Sequence, residues 1–233
     1  MTLGPAPTAR HLVVFAREAR LGRGKRRLAA HVGPVAAVHF QRTALAALLR
    51  RLARDPRWTV WLALTPDRAR LPPGLPKRVR PLPQGGGGLG DRMRRPMRRP
   101  PVGLPPGPVV VIGSDIPAIR PDHAAAAFRA LGNHAFVFGP AADGGYWLVG
   151  ARRRPAEPRD VFAGVRWSGA HALSDTLANL RPGEAGAPLA LLEDVDDPAA
   201  WRRWRRGGEA GRSRRCEGSG PIAVSPDRPY CFT

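Results

Sequence analysis

The chain has 233 residues, 43% of them hydrophobic, which is enough for one sizeable core and short for two. No run of about 18 apolar residues occurs and the start MTLGPAPTARH lacks the apolar stretch of a secretory signal, so a cytoplasmic protein without a membrane partner is expected. Two cysteines, Cys216 and Cys231, support neither a disulfide framework nor a cysteine-based zinc site.

The net charge of +20 is unevenly placed. Residues 1–110 hold 22 basic and 4 acidic side chains, whereas 111–204 hold 10 and 11. Only Lys25 and Lys77 are lysines among the 38 basic residues, and Ala, Gly and Pro are abundant, so most arginines read as the drift of a GC-rich genome. The competing reading is a polyanion-binding surface.

In chain order, HLVVFA (11–16) reads as a buried strand, followed by a Gly- and Arg-rich loop from Arg17 to Arg27. Residues 34–54 carry apolar side chains at helical spacing, with Pro34 suited to a first turn. TVWLAL (59–64) is a second strand. The Pro-rich stretch after it, ending in LPQGGGGLG (82–90), is expected to stay outside the core. Residues 91–108 predict one helical turn and then a basic loop, because six prolines forbid a long helix. PVVVIGS (108–114) is the clearest strand. A helix at 121–131, strands at 135–140 and 146–151 around a DGG turn, a helix at 170–180, a strand at 188–192 and a helical turn at 198–205 complete the pattern. Such alternation argues for an α/β fold with a mostly parallel sheet covered on both faces. The domain is expected to span 1–206, with 207–233 a disordered basic tail.

Four segments could carry chemistry. The loop REARLGRGKRRL leaves the first strand where open α/β sheets bind ligands, and its glycines and cations suit phosphate oxygens; the bland alternative is a solvated loop. Lys25, kept in an arginine-rich chain, is the sharpest point of it. Asp115, delivered by the VVVIGS strand, suits Mg²⁺ or Mn²⁺ bridged by substrate oxygens, or else it is a turn residue. Asp143 opens the DGG turn, which could be a plain hairpin. LEDVDDP packs four carboxylates into residues 193–197, costly unless arginine or a cation faces them. The histidines show no metal-ligand spacing, and no G-x-S-x-G or Cys–His arrangement occurs.

Taken together, FAREARLGRGKRRL, QGGGGLGDRM, IGSDIPAI, GPAADGGYWLVG, Trp167–Ser168 and DVDDPAAW resemble, in this order, the motifs of the rSAM/selenodomain-associated transferase 1 family over about residues 12 to 201. That resemblance implies a Rossmann-like GT-A sandwich, a nucleotide sugar or nucleoside triphosphate, and Mg²⁺ or Mn²⁺. It implies that Gly22, Lys25, Arg27, Gln84 and Gly90 bind nucleotide or phosphate, that Asp115 and Asp196 hold metal, and that Asp143 is catalytic. The sequence departs from the family pattern at Arg17, Glu18 and Ala19, where the family has Lys-x-Pro, and at Arg26, where it has threonine. Two acidic positions are lost at Ala199 and Ala200.

The expected activity is metal-dependent glycosyl transfer from a nucleoside diphosphate sugar to a small-molecule acceptor. A nucleotidyltransferase resembling phospholactate guanylyltransferase is the second expectation. The third is a nonenzymatic polyanion binder; with few aromatics among the basic residues and no nucleic-acid motif, nucleic acid is not an expected partner.

Overall fold

The computed structural model describes residues 9–98, 104–153, 160–167 and 169–209. The tail from 210 onward, Ser168 and the middle of the Pro-rich loop lie outside the described residues. The sheet has six strands in the order β3-β2-β1-β4-β6-β5. β1 (His11–Arg17), β2 (Thr59–Thr65), β3 (Val79–Pro83) and β4 (Val109–Gly113) are parallel, and β6 (Tyr146–Ala151) runs antiparallel to both β4 and β5 (Phe136–Pro140). The α/β class and the mostly parallel sheet are as the sequence predicts.

Alternation along β1 builds both faces. Leu12 and Val14 pack with Leu45, Leu48 and Leu49 of α2 (Pro34–Leu52) and with Phe128 of α4 (Pro121–Ala130). Val13 points the other way, to Trp61, Val111, Phe138 and Met93 of α3 (Leu89–Met97). Strands buried on both faces read as continuous apolar runs, and this is why they were legible. A third, smaller cluster joins Leu28 of α1 (Arg26–Val32), Phe40 of α2, Val195, and Ala200 of α6 (Pro198–Glu209).

Several boundaries differ from expectation. β3 was hidden by its prolines, but an edge strand tolerates them because one side of its backbone needs no ladder partner. α3 runs through Pro96, which lies near its end and is buried with Met97. Residues 188–192 form no strand of their own; they lie along β5, with Leu189 N–H donating to Phe138 and Leu192 N–H to Pro140. α5 (Ala172–Ala178) matches its helix, and α6 is longer than one turn.

The chain order places β2 and β3 on one side of β1 and β4 on the other. Loops leaving β1 and β4 therefore diverge, and a crevice opens beyond their carboxyl ends.

Candidate functional site

That crevice gathers three of the sequence-singled residues. Lys25 ends the loop after β1, immediately before α1, and its side chain is only 3% exposed. Its ammonium lies 3.3 Å from Asp115 Oδ2 and donates to Asp196 Oδ1 at 2.5 Å, while the carboxylates themselves are about half exposed. The Phe40 ring backs it at 5.7 Å. Burial works against the charge on Lys25, but Asp115 and Asp196 outweigh it and raise the ammonium above its ordinary range.

The two aspartates arrive by different local rules. Asp115 follows β4 by two residues, and its carbonyl accepts from Val195 N–H at 3.2 Å. The turn behind it is pinned by Arg51 of α2, whose Nη1 donates to the carbonyls of Pro117 at 2.8 Å and Ile119 at 2.5 Å. Asp196 belongs to a segment in which Val195 is buried against Leu28 and Phe40, so extended alternation turns Asp194 and Asp196 outward together.

Asp194 was not singled out from the sequence by itself, although the D-V-D spacing carries the signal. Burial first, then the charge and shared hydrogen bond of Asp196, push its carboxyl up to about 6, against a smaller opposing effect of Lys25. Asp196 is also partly desolvated, but the Lys25 hydrogen bond holds it below the ordinary carboxylate value. Among the described residues no three acidic, histidine or cysteine side chains enclose a metal position. Two carboxylates that converge on one ammonium nevertheless suit a hard cation that completes its shell with substrate oxygens and water. In this structure the Lys25 ammonium supplies the positive charge between them.

Asp143 stands on the neighbouring turn. Its Oδ1 accepts from Gly145 N–H at 3.0 Å, its side chain is exposed, and its charge is felt at Asp194. Gly144 has φ +82°, and a Cβ there would lie 2.5 Å from the Ala170 carbonyl, so the turn is held close to the segment before α5. The turn is thus more than a free hairpin tip.

The remaining expected residues are dispersed. Arg27 is exposed on α1, near enough to Asp196 for its charge to act there. Gly22 lies in the open loop with φ +72°. Gln84 is buried, and its amide donates to the Ala16 and Ala63 carbonyls, bracing β1 and β2. A Cβ on Gly90 would meet Phe162 at 2.9 Å and Trp167 at 3.2 Å, so its smallness serves helix packing. On the flank toward β2, a cleft of about 500 Å³ is lined by Arg17, Arg20, Arg23, Arg26, Arg68 and Arg92.

Residues 48–169 match the family described as "Uncharacterized protein conserved in bacteria (DUF2064)", and the chain belongs to that family. No curated protein matches it. Among solved structures, a protein from Desulfovibrio desulfuricans G20, provisionally described as a nucleotide-diphospho-sugar transferase, is 28% identical with a TM-score of 0.74, over 87% of this chain and 89% of that one. The 4-diphosphocytidyl-2C-methyl-D-erythritol synthase of Anaerococcus prevotii DSM 20548 shares the fold at 8% identity and TM-score 0.52, over 87% and 99% of the two chains. A CMP:2-keto-3-deoxy-manno-octonic acid synthetase in complex with CTP does so at 12% and 0.50, over 88% and 100%. The fold is that of nucleotidyltransferases and GT-A-like proteins.

Proposed function

We propose that this member of the DUF2064 family is a metal-dependent transferase of the rSAM/selenodomain-associated transferase 1 type, moving a glycosyl group from a nucleoside diphosphate sugar to a small acceptor. The observation that carries this reading is the convergence of Asp115 and Asp196 on one cationic point at the β1/β4 crevice. Mg²⁺ or Mn²⁺ held there would supply charge stabilisation to the departing diphosphate. Lys25 and Arg27 would bind phosphate oxygens, with the Lys25 ammonium turning from the carboxylates to the donor. In transfer, the acceptor oxygen bonds to the anomeric carbon as the bond from that carbon to the diphosphate oxygen breaks. Asp143 would orient the acceptor hydroxyl and take its proton.

The domain would end near residue 206, leaving 207–233 dispensable, and the enzyme would work in the cytoplasm. Among the described residues no helix is long and apolar enough to cross a membrane. Nucleotidyl transfer is the second reading, favoured by the arginine-lined cleft beside the crevice. There the acceptor oxygen would bond to the α-phosphorus and diphosphate would leave with the bridging oxygen.

Thermal shift with nucleotides and nucleotide sugars, with and without Mn²⁺, tests the reading. Wild type should be stabilised by donor only when metal is present, and Asp115→Asn should lose that response while keeping its own melting temperature within a few degrees. An unchanged metal response in Asp115→Asn removes the assignment.

A further inference from the structure

One residue separates α1 from α2. α1 ends at Val32, Gly33 takes φ +83°, and Pro34 opens α2. That left-handed angle suits glycine and turns the chain sharply, leaving Val35 70% exposed at the corner. α6 packs against both helices. Its indoles, Trp201 and Trp204, are three residues apart and share one helix face. Trp204 meets the Phe40 ring edge-on at 4.7 Å, and the Arg205 guanidinium lies over the Trp201 ring at 4.9 Å. Between the corner and α6 is a cavity of about 700 Å³, lined by Val32, Val35, Phe40 and the two indoles.

An apolar concavity of this volume holds a drug-sized body. Its ionisable lining is of one kind, His39 and Arg205, with no carboxylate. Arg205 has no ion-pair partner among the described residues. The matching ligand therefore has a flat apolar body and an anionic group. Two occupants from this chain have the wrong sign: residues 210–233 carry four arginines against Glu217 and Asp227, and a second copy brings the same Arg205 rim.

The cavity lies apart from the crevice but shares two supports with it. Phe40, on which Trp204 rests, is also the ring behind Lys25. α6 begins directly after the Asp196 segment: Asp197 Oδ1 accepts from Ala200 N–H at 2.7 Å, and the Asp197 carbonyl accepts from Trp201 N–H at 3.0 Å. A body that fills the cavity holds α6 in place, and Asp196 with it.

We propose that this cavity is an effector site for a small aromatic acid, whose binding tightens the Asp115–Asp196 centre on its cation. The effector role rests on the reading of that centre as a metal site; binding in the cavity does not depend on it.

Fluorescence titration of the full chain tests this, with anilinonaphthalene sulfonate as probe and phenylnaphthylamine as its uncharged counterpart. In metal-free, chelator-treated buffer the sulfonate should bind at a single site. Arg205→Gln should weaken the sulfonate by about fivefold or more and the uncharged body by less than about twofold. Val35→Glu, at an exposed position, should weaken the sulfonate at least as much and leave the melting temperature of the free protein unchanged. Arg23→Ala/Arg68→Ala, which removes charge from the other cleft, should leave sulfonate binding within about twofold. Equal losses in Arg205→Gln and Arg23→Ala/Arg68→Ala would overturn the site. So would an absence of binding to the full chain, the result expected if residues 210–233 filled the cavity, or a dimer in sedimentation that Val35→Glu dissociates. Saturating sulfonate should raise Mn²⁺ affinity by about fivefold, and Mn²⁺ should raise sulfonate affinity by the same factor. Independent binding of the two overturns the effector role. Failure of Mn²⁺ to bind at all removes the metal centre and the effector role together, while sulfonate binding that Arg205→Gln weakens still establishes the site.

Discussion

Two basic regions lie side by side at the carboxyl edge of the sheet, and their charges do different things. At the centre one cation, Lys25, is buried against Phe40 and shared by two carboxylates, so its charge supports the folded chain. In the cleft Arg17, Arg23, Arg26 and Arg68 have no ion-pair partner among the described residues, and the one carboxylate there, Glu18, is taken by Arg20. In the free protein, partnership and burial separate an engaged cation from an available one. Residue type alone does not, and neither does the sum of charge along the chain.

The largest expected effect tests the structural half of that contrast. Lys25→Met leaves Asp115 and Asp196 facing each other without a cation. It should cost about 2–3 kcal/mol by urea denaturation, less than the roughly 3–5 of a fully buried pair because both carboxylates reach water. Mn²⁺ should restore part of the loss and bind the variant more tightly than it binds wild type, as calorimetry would read. Absence of any destabilisation would mean that the ammonium is not the cation on which this pocket depends.

Next in size is Arg51→Met. The carbonyls of Pro117 and Ile119 lose their donor, a cost of about 1–2 kcal/mol for part-buried acceptors that water can still reach in part. Because the same turn follows Asp115, Mn²⁺ affinity should fall as well, and Arg51→Lys should restore part of both. Loss of stability with unaltered Mn²⁺ binding would limit Arg51 to the scaffold.

A smaller effect depends on pH. Asp194 is raised to about 6 from an ordinary value of 3.8, so between those values the folded chain holds a proton that the unfolded chain releases. Its contribution to stability is therefore present below the ordinary carboxylate value and is lost as pH rises toward 6. Asp194→Asn should flatten the melting-temperature profile of the metal-free protein between about pH 4 and 6, and an unchanged slope would place the proton elsewhere.

The smallest expected effect belongs to the cleft. Arg23→Ala/Arg68→Ala should leave the urea midpoint of the free protein unchanged or slightly higher, since only repulsion is removed. A clear loss of stability would show that these arginines have structural partners after all and would erase the contrast with Lys25.

Much of this was readable from residues. The apolar runs of β1, β2 and β4 and the helical spacing in α2 predicted a covered sheet, because strands buried on both faces and a helix with one apolar stripe leave local periodicity. Asp115 was predicted at a strand end, and the D-V-D segment was marked by its crowding of carboxylates. Local pattern failed where a long-range neighbour decides. Pro81 and Pro83 argued against β3 until its place at the sheet edge made them acceptable, and the contacts by which Gln84 braces β1 and β2 and Gly90 packs on Phe162 have no local signal. The partner of Lys25 lies 171 residues away in sequence, so only tertiary structure could show that this lysine faces Asp196 while four nearby arginines have no ion-pair partner among the described residues. Periodicity reports which face of an element meets a core. Pairing of charges is set by which loops the strand order brings to one edge, and no stretch of local sequence contains that order.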